Sequence, residues 1–197
     1  MSVSIITLPG SEAQAYLGDV ARLRITVFRE YPYLYEGNKT YERKYLRGYL
    51  ESAESVLVLA KDGDKVVGAS TGIPLSCEPV SLQMPFLEKG FDARRIYYFG
   101  ESVLLPDYRG QGIGVRFFEE RENWALALPQ VTTAAFCGVV RPDHHPLRPS
   151  GYKPLDDFWT NRGYALAEGM LGKLSWKEIN ETEETEKPMQ FWIKKLR

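Results

Sequence analysis

Arg109, Gly110, Gly112 and Gly114 fall together in the run Leu104-Leu105-Pro106-Asp107-Tyr108-Arg109-Gly110-Gln111-Gly112-Ile113-Gly114-Val115, where an apolar strand gives way to a turn and then a helix. Glycines leave no Cβ between backbone and ligand, so successive N–H groups can face one anion. The helix N-terminus adds the positive end of its dipole. The chemistry expected here is phosphate binding, with the Arg109 charge at the lip.

Elimination narrows the ligand. A dinucleotide fingerprint needs G-x-G-x-x-G, yet counting from Gly110 puts Val115 at the third glycine, and counting from Gly112 puts Phe117 there. No Gly-Lys-Ser/Thr triplet follows, as a nucleotide P-loop requires. What remains, Arg109-x-x-Gly112-x-Gly114 preceded by Leu104-x-Pro106, resembles motif A of the GNAT superfamily of acyl-coenzyme A-dependent N-acetyltransferases. Further on, Phe158-Trp159-x-x-x-Gly163-Tyr164 resembles that family's F-Y-x-x-x-G-F/Y segment.

The resemblance implies acetyl-coenzyme A as co-substrate and no metal. Its pyrophosphate would lie on the backbone N–H groups of Gln111, Gly112, Ile113, Gly114 and Val115, beside Arg109 and Gly110. Its pantetheine arm would run along the backbone of Val103, Leu104 and Leu105 like an added strand. The reaction implied is direct attack of an amine on the acetyl group in a ternary complex.

A free alkylamine, with a pKa of roughly 10, is mostly protonated at neutral pH, so a base must take its proton. Glu101 is the first candidate, because it sits in the apolar and aromatic run Tyr97-Tyr98-Phe99-Gly100-Glu101-Ser102-Val103, where burial makes a carboxylate a better proton acceptor. Gly100 before it permits a bulge that aims the side chain into a cleft. The competing role is a structural ion pair. Many family members carry the glutamate about three residues earlier, where this chain has Tyr98. His144 and His145, the only histidines, are the alternative bases, since imidazole titrates near neutrality.

The family's general acid comes from the tyrosine of its F-Y segment, and here that position is Trp159, which has no acidic hydrogen. Tyr164, Tyr152 or water substitutes, or the thiolate leaves unassisted. Cys137 lies within a strand, where a small buried hydrophobe is expected rather than an acyl-enzyme. In relatives the first two helices wall the acceptor site, so Tyr31, Tyr33 and Tyr35, followed by Glu36, are the candidate contacts for a cationic amine. The Tyr41, Tyr45 and Tyr49 stripe on the second helix is expected to pack the helix pair.

The elements that must position these groups are legible from periodicity. Residues 3–8 read as a strand, and Ser11 with Gln14 forms a capping-box pattern opening a helix that ends at Pro32. A second helix spans residues 40–52. Strands at 55–60 and 65–73 flank an Asp-Gly turn, and residues 76–92, broken by Pro79 and Pro85, read as a loop insertion near the site. Residues 96–105 form a buried central strand, followed by the phosphate turn, its helix, and a strand at 131–140. A proline-stiffened loop over 141–149 leads to a short helix at 154–161. Strands at 164–176 and 189–196 flank an acidic, disorder-prone linker over 177–187. The fold class expected is α/β, an α+β mixed sheet of about seven strands with about four helices. The resemblance adds that the sheet is splayed at its centre.

With 197 residues, 44% of them hydrophobic, the chain is expected to form one acyltransferase domain over residues 1–197. Its 25 basic and 26 acidic residues nearly cancel, so neither nucleic acid nor an anionic membrane is an expected partner. A small-molecule or peptide amine is, with the chain a monomer or homodimer. Two cysteines without metal-type spacing, and no basic stretch followed by a long apolar run near residue 1, point to the cytoplasm. A coenzyme A-binding module without catalysis, or an O-acyltransferase, is the competing function.

Overall fold

The computed structural model describes residues 3–197. Among these residues seven strands form one sheet in the order β1-β2-β3-β4-β5-β7-β6. They are β1 (Ser4–Pro9), β2 (Val56–Asp62), β3 (Lys65–Pro74), β4 (Ile96–Leu104), β5 (Thr133–Val139), β6 (Ala165–Trp176) and β7 (Thr185–Lys195). Among the described residues five α-helices accompany them: α1 (Leu17–Phe28), α2 (Lys39–Glu51), α3 (Val80–Glu88), α4 (Ile113–Leu126) and α5 (Asp156–Thr160).

The two-residue alternation of β2 sorts the core. Val56, Val58 and Ala60 pack toward α4 with Phe117, Phe118 and Phe99, whereas Leu57 and Leu59 pack toward α1 and α2 with Leu23 and Leu46. Under α3, Leu82 and Phe86 meet Ile96, Tyr98, Ala135 and Phe191 in a third cluster. Helices thus cover both faces of the central strands, which explains why those strands read as continuous apolar runs. Among the described residues no helix is long and apolar enough to cross a membrane.

The centre of the sheet is open. All neighbouring strands are antiparallel except β4 and β5, which run parallel. That parallel pair holds only at Ile96–Thr133, Tyr97–Ala134 and Tyr98–Ala135. From Phe99 onward β4 has no strand on its β5 side among the described residues, and this is the splay that the family resemblance implied.

Three local expectations are corrected. Ser11 caps nothing: residues 10–16 form a 3₁₀ turn whose preceding residue is Pro9, with no side-chain cap. The 76–92 insertion contains α3, started after Pro79 and continuing through Pro85, because Leu82 and Phe86 bury against the sheet. The acidic 177–187 segment is a structured hairpin connection: Lys187 binds Glu181, Arg141 binds Glu178, and Glu178 bridges to Tyr35. Lys177, Glu178, Glu181, Glu186 and Lys187 are all in ion pairs, which offsets the repulsion of the acidic run.

Candidate active site

The glycine turn is built as its sequence suggests. Gly110 and Gly112 have φ of 75° and 81°, values that L side chains rarely adopt, and a Cβ at either would meet open space. Gly112 is the residue before α4. The N–H groups of Val115 and Arg116 donate back to its carbonyl at 3.0 and 3.2 Å. This leaves Gln111, Gly112, Ile113 and Gly114 with N–H groups that make no hydrogen bond among the described residues, as the first turn of a helix requires. Val115 is therefore less available to an anion than expected. Gly114 serves a different purpose, since a Cβ there would touch Phe158 of α5 at 3.4 Å. Open left-handed glycines, four free amides and an unpaired β4 edge fit a phosphate-bearing ligand with an extended arm.

Arg109 is exposed and already engaged. Its guanidinium donates to the Leu104 carbonyl at 3.1 Å and to Glu30 at 2.9 Å, at the end of α1. Leu105 donates to Val67 in the neighbouring strand, and Val103 is fully buried, in register with Ala69.

Glu101 lies on a bulge. Between the register pairs Ser70–Ser102 and Gly72–Phe99, β4 carries one residue more than β3, and Gly100 is required within it because a Cβ would strike the Tyr49 hydroxyl at 2.2 Å. Arg121 of α4 braces the bulge from the opposite face. It is buried, its guanidinium lies 4.2 Å over the Phe99 ring, and it donates to the carbonyls of Thr71 and Glu101 and to Ser102 Oγ. Burial lowers its pKa to about 10, which leaves it charged at neutral pH.

The Glu101 side chain is 2% exposed. Its Oε2 accepts from Arg24 of α1 at 2.5 Å and from the Tyr45 hydroxyl of α2 at 3.3 Å. Its Oε1 is buried and has no hydrogen-bond partner among the described residues. Arg24 also binds the fully buried Glu42, which accepts from Tyr35 at 2.8 Å, and stacks 4.2 Å from the Tyr45 ring. Burial opposes the Arg24 charge, but Glu101, Tyr45 and Glu42 outweigh it and hold the guanidinium protonated. On the far side Tyr49 links Tyr45 to Glu78, the residue after the 3₁₀ turn that ends β3. Burial pushes the Glu78 carboxyl up to about 7, helped by Glu101 and opposed by the Tyr49 hydrogen bond and Arg24.

The tyrosines divide. Tyr35 is spent on Glu42, so it orders the ion cluster rather than meeting a ligand. Tyr33 is half-buried between Phe28 and Trp176, with ring centroids 4.6 and 5.9 Å away. Its carbonyl and that of Pro32 are held by Arg141. Tyr31 stacks edge-on against Tyr152 at 4.7 Å and near His145 at 5.6 Å. Of the second-helix stripe, Tyr45 and Tyr49 enter the cluster and Tyr41 stays 46% exposed.

Three candidates, Tyr164, His144 and His145, are set aside by geometry. Tyr164 is enclosed by Phe99, Phe118 and Phe136, and its hydroxyl donates to Glu122 at 3.0 Å, so it packs the α4 side of the sheet and is not placed as an acid. His145 turns its Nδ1 to accept the Leu147 N–H at 3.2 Å, and His144 is exposed; neither touches the Glu101 cluster. Trp159 fills the space over Gly138, where a Cβ would sit 3.0 Å from its ring. Cys137 lies 3.0 Å from the Tyr98 hydroxyl, and burial pushes its thiol up to about 12, against nucleophilic use.

Arg24, Glu42, Glu78 and Arg121 were missed from the sequence. For three of them a signal existed: Arg24 sits among Val20, Val27 and Phe28, Glu42 among Tyr45, Leu46 and Tyr49, and Arg121 among Phe117, Phe118 and Ala125, so each is a charge on an apolar helix face. Glu78 carries no such pattern.

A sequence model of the Acetyltransferase (GNAT) family matches residues 22–149. No match was found among curated protein sequences. Solved structures share the fold at low identity. The NAA60 protein of Arabidopsis thaliana in complex with acetyl-CoA is 12% identical with a TM-score of 0.61, covering 98% of this chain and 97% of that one. The ribosomal-protein-alanine N-acetyltransferase of Brucella melitensis is 13% identical with a TM-score of 0.60, covering 98% and 99%. The loading GNATL domain of CurA from Lyngbya majuscula is 15% identical with a TM-score of 0.64, covering 100% and 98%. The family match begins within α1 and spans the glycine turn and both strands of the splay, and by it this chain belongs to the GNAT acetyltransferase family.

Proposed function

We propose that this chain transfers an acetyl group from acetyl-coenzyme A to the amine of a small molecule or peptide, with Glu101 as the base. The observation that carries this reading is Glu101 Oε1, a buried carboxylate oxygen without a partner on a strand that has just parted from its neighbour. An unsatisfied buried acceptor costs about 1–3 kcal/mol, more when charged. A proton-bearing substrate group in the gap would supply what Oε1 lacks.

Acetyl-coenzyme A supplies a thioester whose carbonyl is open to attack. The free amides at residues 111–114 bind its phosphates, the β4 edge at Val103, Leu104 and Leu105 aligns its arm, and Arg109 reaches it by exchanging Glu30. Arg24 keeps Glu101 in place while the carboxylate takes the proton of the ammonium form and frees the attacking lone pair; the second proton, shed as the amide forms, goes to water. No protein acid is assigned to the leaving sulfur; a thiol with a pKa of about 8.5 departs as thiolate. Tyr31 and Tyr33, on the α1–α2 connection, line the acceptor side. We further read residues 1–197 as one domain, because β1 and β7 from the two ends of the chain belong to one sheet.

Thiol release from acetyl-coenzyme A over a panel of alkylamines, polyamines and peptides with free N-termini tests the reading. Turnover with at least one amine is expected, its product heavier by one acetyl group. Coenzyme A binding by calorimetry with no turnover on any amine would contradict it and favour a binding module.

A further inference from the structure

The Tyr45 and Tyr49 hydroxyls stand 3.1 Å apart, and each also meets a buried carboxylate: Tyr45 lies 3.3 Å from Glu101 Oε2, and Tyr49 lies 3.2 Å from Glu78 Oε1. Four side chains thus form an unbroken line of hydrogen-bonding oxygens from the β4 bulge, along one turn of α2, to the end of β3. We propose that this line is a proton exit through which Glu101, loaded with the proton of the amine, is emptied into Glu78. The proposal rests on the reading of Glu101 as the base.

A base that gains a proton in every turnover must lose it before the next. Glu101 is 2% exposed, and Arg24 and Tyr45 cover its Oε2. Glu78, at the other end, is 8% exposed and flanked by the exposed residues Ser76, Cys77, Pro79 and Val80. Water is therefore near one carboxylate and remote from the other.

The step balances. With both carboxylates charged, Tyr45 donates to Glu101 and Tyr49 donates to Glu78. Once Glu101 is protonated, a half-turn of its carboxyl presents the new O–H to Tyr45. That bond breaks as the Tyr45 oxygen gains the proton. The original Tyr45 proton passes to Tyr49, and the Tyr49 proton passes to Glu78 Oε1. Glu101 is again a carboxylate, both phenols are neutral, and Glu78 is a carboxylic acid that releases its proton to water.

The surroundings suit each member. Burial drives both phenols well above their ordinary value, so they carry protons without resting as phenolates. The titratable and charged groups around Glu78 are Tyr49, Glu101 and Arg24, with Tyr45, Tyr98 and Cys137 beyond them. Burial, with Glu101 raising it and the Tyr49 hydrogen bond and Arg24 lowering it, places its titration near neutral pH, where a carboxyl both accepts and returns a proton.

Rapid-quench measurement of acetyl transfer, with acetyl-coenzyme A and the fastest amine of the panel, separates the first turnover from those that follow. In Tyr49→Phe and in Glu78→Gln the first turnover should keep its rate, because Glu101 starts empty. The steady-state rate should fall at least about tenfold, giving a burst that the wild type lacks. Two variants of different chemistry guard against a folding defect in either. Equal first-turnover and steady-state rates in both, whether at the wild-type level or slowed alike, would overturn the exit. An unchanged first turnover in Glu101→Gln would instead overturn the assignment of the base.

Discussion

Gly112 and Arg109 stand side by side in the turn but carry different energetic weight. Gly112 is held at φ 81° with open space where its side chain would be, so Gly112→Val both strains the backbone and fills the anion's place. Calorimetry should find coenzyme A binding abolished in a variant that still folds; retained affinity would remove the cradle from the account. Arg109→Ala should cost only about 1–2 kcal/mol of binding, because one exposed charge-assisted contact is lost while the amides remain. That loss should shrink as salt rises, and Glu30→Ala, which frees Arg109 from its present partner, should tighten binding at low salt. A salt-independent effect would make Arg109 a structural residue. The glycines and Glu101 were legible because the backbone demands the former and a carboxylate inside an apolar strand stands out. Arg24 showed only as a charge on an apolar helix face, since the folded packing of α1 on β4 is what brings it to Glu101.

At the scale of elements, a strand bulge and a helix meet through one buried cation. Arg121→Met keeps the packing of a long side chain against Phe99 and Phe118 but strips donors from the Thr71 and Glu101 carbonyls and Ser102 Oγ. We expect a stability loss of about 1–3 kcal/mol by denaturant titration, together with slower acetyl transfer and unchanged coenzyme A affinity. A variant as stable and as fast as the wild type would show that the bulge holds itself. The bulge was foreseeable from Gly100, whereas its brace was not, because nothing local marks which strand an α4 arginine will reach. Helix α3 was hidden by its prolines: Pro79 precedes its first turn and Pro85 interrupts its ladder, so propensity argued for a loop while burial of Leu82 and Phe86 decided for a helix. The splay was known only through the family resemblance, since apolar strands on both sides of it read alike whether or not they pair.

For the whole molecule, one buried carboxylate makes folding depend on pH. Glu78 is pushed from an ordinary 4.5 to about 7 in the folded chain, so the native state binds its proton more tightly than the unfolded state does. This group's contribution is fully favourable below about pH 4.5 and is lost as pH rises through about 7. Glu78→Gln should therefore raise the melting temperature above pH 7, by up to about 3 kcal/mol of stability, and leave it near the wild-type value around pH 4.5. Thermal denaturation at both ends of that range checks this, and a variant less stable than the wild type above pH 7 would contradict it.

The central claim concerns the proton at Glu101, and its most direct measurement is the first-turnover rate of acetyl transfer in Glu101→Gln against the wild type across pH. Glutamine keeps the size of the side chain and removes the base, so the rate at neutral pH should fall roughly 10²–10⁴-fold while acetyl-coenzyme A binding barely changes. The gap should narrow as pH climbs toward the pKa of the amine, because solvent then supplies the free nucleophile. Wild-type rates in Glu101→Gln at neutral pH, with loss of rate in His144→Ala or His145→Ala instead, would contradict the account and move the base to the loop after β5.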